Sequence, residues 1–98
     1  MATDPHDLLD LVKDEATLLA FVNALRLDRI EEDEKERPSP SSPYGPGANG
    51  WENRTIEAFL GAASAWAEST NFGLTQGLDP SNSWKRFAVF LYCGKIYE

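Results

Sequence analysis

Thr55-Ile56-Glu57-Ala58-Phe59-Leu60-Gly61-Ala62-Ala63-Ser64-Ala65-Trp66-Ala67-Glu68 carries the sharpest periodicity in this chain of 98 residues. Ile56, Phe59, Leu60, Ala63, Trp66 and Ala67 recur at three- and four-residue steps, the spacing that lines side chains along one face of an α-helix. Asn53 or Thr55 can cap its start by accepting a backbone N–H that the first turn leaves unpaired. The spacing predicts a helix from about Arg54 to Glu68 or Ser69. Ala58, Ala62, Ala63 and Ala65 put little side chain between backbones, so a neighbouring helix can come close.

Downstream of it, residues 70–78 read as a loop punctuated by Gly73 and Gly77. Asp79-Pro80 then repeats a start signal, a capping carboxylate followed by proline at the first helical position. The helix expected there presents Trp84, Phe87, Ala88 and Leu91 on one face, widened by Phe90, Tyr92 and Ile96. A helix apolar over so much of its girth is expected at the centre of the core.

Upstream, Asp14 can cap a helix whose apolar face is Leu18, Phe21, Val22 and Leu25. The pattern fades after Leu27 and Ile30 into Glu31-Glu32-Asp33-Glu34-Lys35-Glu36-Arg37, which propagates helix well and reads as a solvated end stopped before Pro38. Asp4-Pro5 marks a short helix holding Leu8, Leu9, Leu11 and Val12. Between the second and third helices, residues 38–50 contain four prolines and three glycines and read as a flexible loop. Neither half has core enough to stand alone, so residues 1–98 are expected to form a single domain. The expected fold class is all-α: a small bundle of three main helices plus a short N-terminal one, the last two paired as an antiparallel hairpin.

The net charge of −7 is concentrated at one end. Residues 1–36 hold eleven carboxylates against four cations, while residues 37–98 hold five of each. Such a surface repels phosphate backbones and anionic lipid, so neither nucleic acid nor membrane is expected as a partner. It attracts basic proteins instead. No apolar run has the length of a membrane span, Met1–Asp7 lacks the basic residues of a secretion signal, and a lone cysteine suits a reducing compartment; a cytoplasmic location is expected.

Signatures of catalysis are missing. Gly45-Pro46-Gly47 has neither the lysine nor the preceding strand of a phosphate loop. One histidine, His6, and one cysteine, Cys93, do not make a zinc site, and the carboxylates of 28–36 lack the turn-forming glycine of a calcium loop. Glu52 and Glu57 flank a helix start, where the dipole favours negative charge. The chain is therefore not expected to be an enzyme, and no cofactor or metal is expected.

The pattern Trp51-Glu52-Asn53, Thr55-Ile56, Phe59-Leu60, Ala63 and Trp66, then Trp84, Phe87-Ala88, Leu91 and Tyr97-Glu98 resembles a family of small uncharacterised bacterial proteins. The similarity covers residues 51–98 well, and the helix from Asp14 to Arg29 only in its apolar pattern. The resemblance implies a stand-alone acidic helical protein of the kind found as immunity partners of bacterial toxins, and brings no catalytic residue with it.

Trp66 and Trp84 are expected in the core. Trp51 is read either as a staple packed on the first turn of the third helix or as an exposed contact aromatic. Binding hot spots favour Trp, Tyr and Arg, so Tyr44, Trp51 and Arg54, with the acidic Glu31, Glu32 and Glu34, are the candidate partner-binding residues. The expected function is binding a protein partner, a basic toxin such as a nuclease being the leading class. A regulatory or adaptor role, or a small-ligand protein or enzyme with an unrecognised site, stands as the alternative.

Overall fold

The computed structural model describes residues 3–98 and places four α-helices: α1 Pro5–Leu9, α2 Glu15–Glu36, α3 Ile56–Thr70 and α4 Ser83–Ile96, with a 3₁₀ turn at Leu74–Gln76. Among the described residues there is no strand. The fold is an all-α bundle, as the spacing of apolar residues requires.

The helix starts follow from local chemistry. Asp4 accepts the His6 N–H at 3.0 Å with Pro5 at the first helical position. Asp14 and Thr17 cap α2 reciprocally, the carboxylate accepting the Thr17 N–H at 2.9 Å and the Thr17 hydroxyl accepting the Asp14 N–H at 3.0 Å. Thr55, of the two candidates, caps α3 through the Ala58 N–H. The Asp79-Pro80 signal is satisfied differently. Asp79 accepts the Ser81 N–H and hydroxyl in a local turn, and Asn82 caps α4 through the Lys85 N–H at 3.0 Å.

α3 and α4 run antiparallel. Phe59 near the start of α3 lies against Gly94 near the end of α4, so closely that a Cβ on Gly94 would meet the ring at 2.6 Å. At the other end Phe72 stacks on Phe90 with ring centres 5.1 Å apart, and its carbonyl accepts from Arg86 Nε at 3.0 Å. Asn71 and Phe72 both adopt left-handed backbone, φ 50° and 54°, the turn that ends α3. Trp66 is buried among these aromatics, its indole N–H held by Gln76 Oε1 at 2.9 Å.

The second layer is α1 and α2 against the opposite side of α4. Leu9, Val12, Phe21, Leu25, Trp51 and Ala88 form the buried cluster there. α4 is thus central, as its apolar girth predicts. One of its stripes nevertheless stays uncovered: Trp84 is 40% and Phe87 44% exposed. Trp84 is therefore no core residue, contrary to expectation. α1 and α2 cover the stripe through Ala88, Tyr92 and Lys95, and α3 covers that through Phe90 and Gly94. The stripe of Trp84, Phe87 and Leu91 lies between them.

Candidate functional site

The buried stripe of α2 continues into its acidic half. Phe21, Ala24, Leu25, Asp28 and Glu32 are buried, a helical succession in which carboxylates take over from apolar side chains after the first three turns. Expected as part of a solvated helical end, Glu32 is instead fully enclosed. Asp28, Glu32 and Glu36 stand four residues apart, on one face, and what covers them is the Pro/Gly/Ser-rich segment.

The covering is held by hydrogen bonds to charged acceptors, the strong kind. Glu36 accepts the backbone N–H groups of Ser41 at 2.6 Å and Ala48 at 2.8 Å. The Ser41 contact holds the Glu36 carboxyl below its ordinary titration range. Glu32 Oε1 accepts the N–H groups of Asn49 and Trp51, at 3.1 and 3.2 Å. The Asn49 side chain donates to the Asp28 carbonyl and carboxylate and to Glu31, and accepts from Lys35 at 2.7 Å. Gly47 is required by proximity, because a Cβ there would collide with the Glu32 carboxylate. The segment expected to be a flexible loop is strapped to α2 at both of its ends.

Trp51 closes the strap. Its indole N–H donates to Asp28 Oδ2 at 2.9 Å, and the same oxygen accepts from Lys95 Nζ at 2.8 Å. Lys95 and Arg29 both approach the Trp51 ring, at 5.6 and 5.9 Å from its centre, within cation–π range. Phe59 stacks on it at 6.1 Å, so the staple reading of Trp51 against the first turn of α3 describes its packing. Asn53 Nδ2 donates to the carbonyls of Gly94 and Tyr97, satisfying acceptors that the end of α4 leaves open. Trp51-Glu52-Asn53 is thereby a clasp joining α2, α3 and α4. A family of unknown function, DUF7660, matches residues 14–98, a range that includes the clasp and the three helices it joins. The chain belongs to DUF7660. No curated protein and no solved structure matches it.

The six candidate partner-binding residues do not form one patch in this DUF7660 chain. Glu32 is buried and consumed by the clasp, so a partner cannot reach it; Trp51 is 5% exposed with its indole N–H engaged by Asp28, so it is no exposed contact aromatic and offers only a ring edge to the surface. Glu31 is half-buried and tied to Lys35 and Asn49. Glu34 is exposed, and Tyr44, 97% exposed, projects into solvent. Arg54 lies on the rim of a groove that the sequence did not reveal.

That groove arises because α2 and α3 each pack on α4 and not on one another. The gap is a concavity of about 530 Å³, inside the usual range of ligand pockets. Leu25, Phe59, Leu91 and an edge of Trp51 line its depth, and its rim carries Ile30, Ile56 and Leu60. Ile56 is 78% and Leu60 53% exposed. The polar side chains at its edge include three arginines, Arg26, Arg29 and Arg54, and no carboxylate. Trp84 and Phe87 extend the apolar stripe along α4 beyond Leu91, by helical spacing.

The chemistry available elsewhere is sparse. Burial pushes the Cys93 thiol up to about 11, which keeps it protonated at neutral pH. His6 is exposed and lies against Tyr92, ring centres 5.6 Å apart. Among the described residues no three His, Cys, Asp or Glu side chains converge as metal ligands, and no helix is long and apolar enough to cross a membrane.

Proposed function

We propose that this protein is a binding module whose working surface is the apolar groove between α2 and α3. The observation that carries the reading is the pairing of exposure with concavity: Ile30, Ile56 and Leu60 stand open to water around a gap floored by Phe59 and Leu91. Contiguous exposed apolar surface of this kind marks an interaction site. Its accessible surface is mainly apolar, and the ionisable groups at its edge are arginines, with no carboxylate, histidine or cysteine among them to act as a base or nucleophile.

An immunity protein that neutralises a cognate toxin is one member of this class, and an adaptor or regulatory subunit is another. The reading based on a basic toxin drawn to Glu31, Glu32 and Glu34 retains Glu34, which is exposed. Glu32 leaves it, because the strap occupies it, and Glu31 is engaged by Asn49 and Lys35.

The test is site-specific photo-crosslinking in the cells that make the protein. A photoreactive residue at position 60 or 56 is expected to trap a discrete protein adduct, and one at position 13, remote from the groove lining, is not. Identical adducts at all three positions, or none at 56 and 60, would overturn the reading.

A further inference from the structure

Resting on the docking reading above, we infer that the occupant of the groove is an amphipathic helix of a partner protein whose apolar stripe is flanked by acidic side chains. The charge at the rim is the reason. A chain with net charge −7 lines this apolar concavity with three arginines and no carboxylate. Arg29 is engaged by Asp33 and faces Glu32 Oε2 at 3.8 Å. Arg26 and Arg54 are exposed and form no ion pair among the described residues. Arg54 does feel Glu36 and Glu52 electrostatically. Arg26 sits on the α2 edge and Arg54 at the start of the α3 edge, so carboxylates on both sides of an inserted segment would meet a cation.

The shape favours a helix over an extended strand or a small molecule. The walls are two helices lying on a third, so their backbone N–H and C=O groups are used within the helices and offer no edge for strand pairing. Anchors on the occupant at i, i+3, i+4 and i+7 would match the run of Ile30, Leu25 and Val22 along α2 and of Ile56, Phe59 and Leu60 along α3. Seating there would complete a bundle around α4 by covering its open stripe. A second copy of this chain fits less well. A two-fold contact through this face would set the arginine rim of one copy against that of the other.

The experiment is selection of a displayed library of randomised 16-residue peptides against the folded protein. The pool retained by wild type is expected to show apolar residues at helical spacing flanked by Asp and Glu. Binding of its members should fall by about tenfold or more on Arg26→Glu/Arg54→Glu, as removal of rim complementarity demands, and should vanish on Leu60→Asp. A pool whose helical peptides carry Lys and Arg instead, yet still depend on Leu60, would overturn the acidic helix and leave the groove standing. A pool indifferent to Leu60→Asp would overturn both. Sedimentation of wild type as a dimer that Leu60→Asp dissociates would replace the partner helix by a second copy. The composition of the wild-type pool decides the question even if the doubly charged variant folds poorly.

Discussion

Lys95 donates to Asp28 at 2.8 Å, and both side chains are buried. The pair joins the last turn of α4 to the middle of α2, and Trp51 shares the same carboxylate oxygen. A buried ion pair of this kind adds little over an apolar substitute, but breaking it leaves a charge without water or partner.

Asp28→Ala is therefore expected to destabilise the protein by about 3–5 kcal/mol, because it strands Lys95 and removes the acceptor of the Trp51 indole. Adding Lys95→Met should restore part of that loss. Urea unfolding of the single and double variants checks it. A double variant no more stable than Asp28→Ala would mean that the ammonium is not the source of the penalty.

Gly47→Ala should cost about 1–3 kcal/mol, the usual penalty of overpacking, since the new methyl would displace the Glu32 carboxylate that holds Asn49 and Trp51. Gly45→Ala, with nothing within 4 Å of the added atom, should change stability by about 0.5 kcal/mol or less. Limited proteolysis within residues 38–50 should accelerate for the first variant alone.

The strap should loosen in acid. The Glu36 carboxyl, held low first by Ser41, is charged and favourable above the ordinary carboxylate range of about pH 4. Its contribution is lost as pH falls through its depressed folded value. Asp14 and Asp79 are lowered in the same sense, by Thr17 and Ser81. Glu52 is raised, by burial first and then by Glu98, and works in the opposite direction. Glu36→Gln should be less stable than wild type at pH 7, and the difference should shrink in acid. Denaturation midpoints between pH 3 and pH 7 would show the two curves converging; a gap independent of pH would exclude the charge as its origin.

The three tryptophans should separate in fluorescence. Trp51 and Trp66 are 5% and 2% exposed, against 40% for Trp84. Trp84→Phe is expected to remove most of the emission that acrylamide quenches, while changing stability by roughly 1 kcal/mol or less. Trp66→Ala should cost about 3–5 kcal/mol. Comparable quenching before and after Trp84→Phe would place that indole inside the protein.

Cys93, pushed up to about 11 by burial, should react with a disulfide reagent far more slowly than an exposed thiol at neutral pH. Full reactivity is expected on adding denaturant, and absorbance of the released thiolate measures both rates. Rapid labelling of the native protein would contradict the buried position.

What the sequence by itself determined is whatever depends on near neighbours along the chain. Helix periodicity in α3, the Asp4-Pro5 and Asp14 starts and the Thr55 cap are decided within four residues, because helix hydrogen bonds and caps reach no further. The tertiary structure decided the rest, and always where a contact spans a long separation. Glu31–Glu36 looks solvated, since charged residues on a helix face normally meet water; its buried face exists only because residues 41–51 return over it and supply N–H donors. The one legible trace was the four-residue repeat of Asp28, Glu32 and Glu36 ahead of a glycine-rich segment. Trp84, Phe87 and Leu91 look like core, because periodicity reports that a stripe is apolar and is silent on whether a neighbour covers it. α2 and α3 flank α4 without closing on one another, and that arrangement turns an expected core face into an open groove.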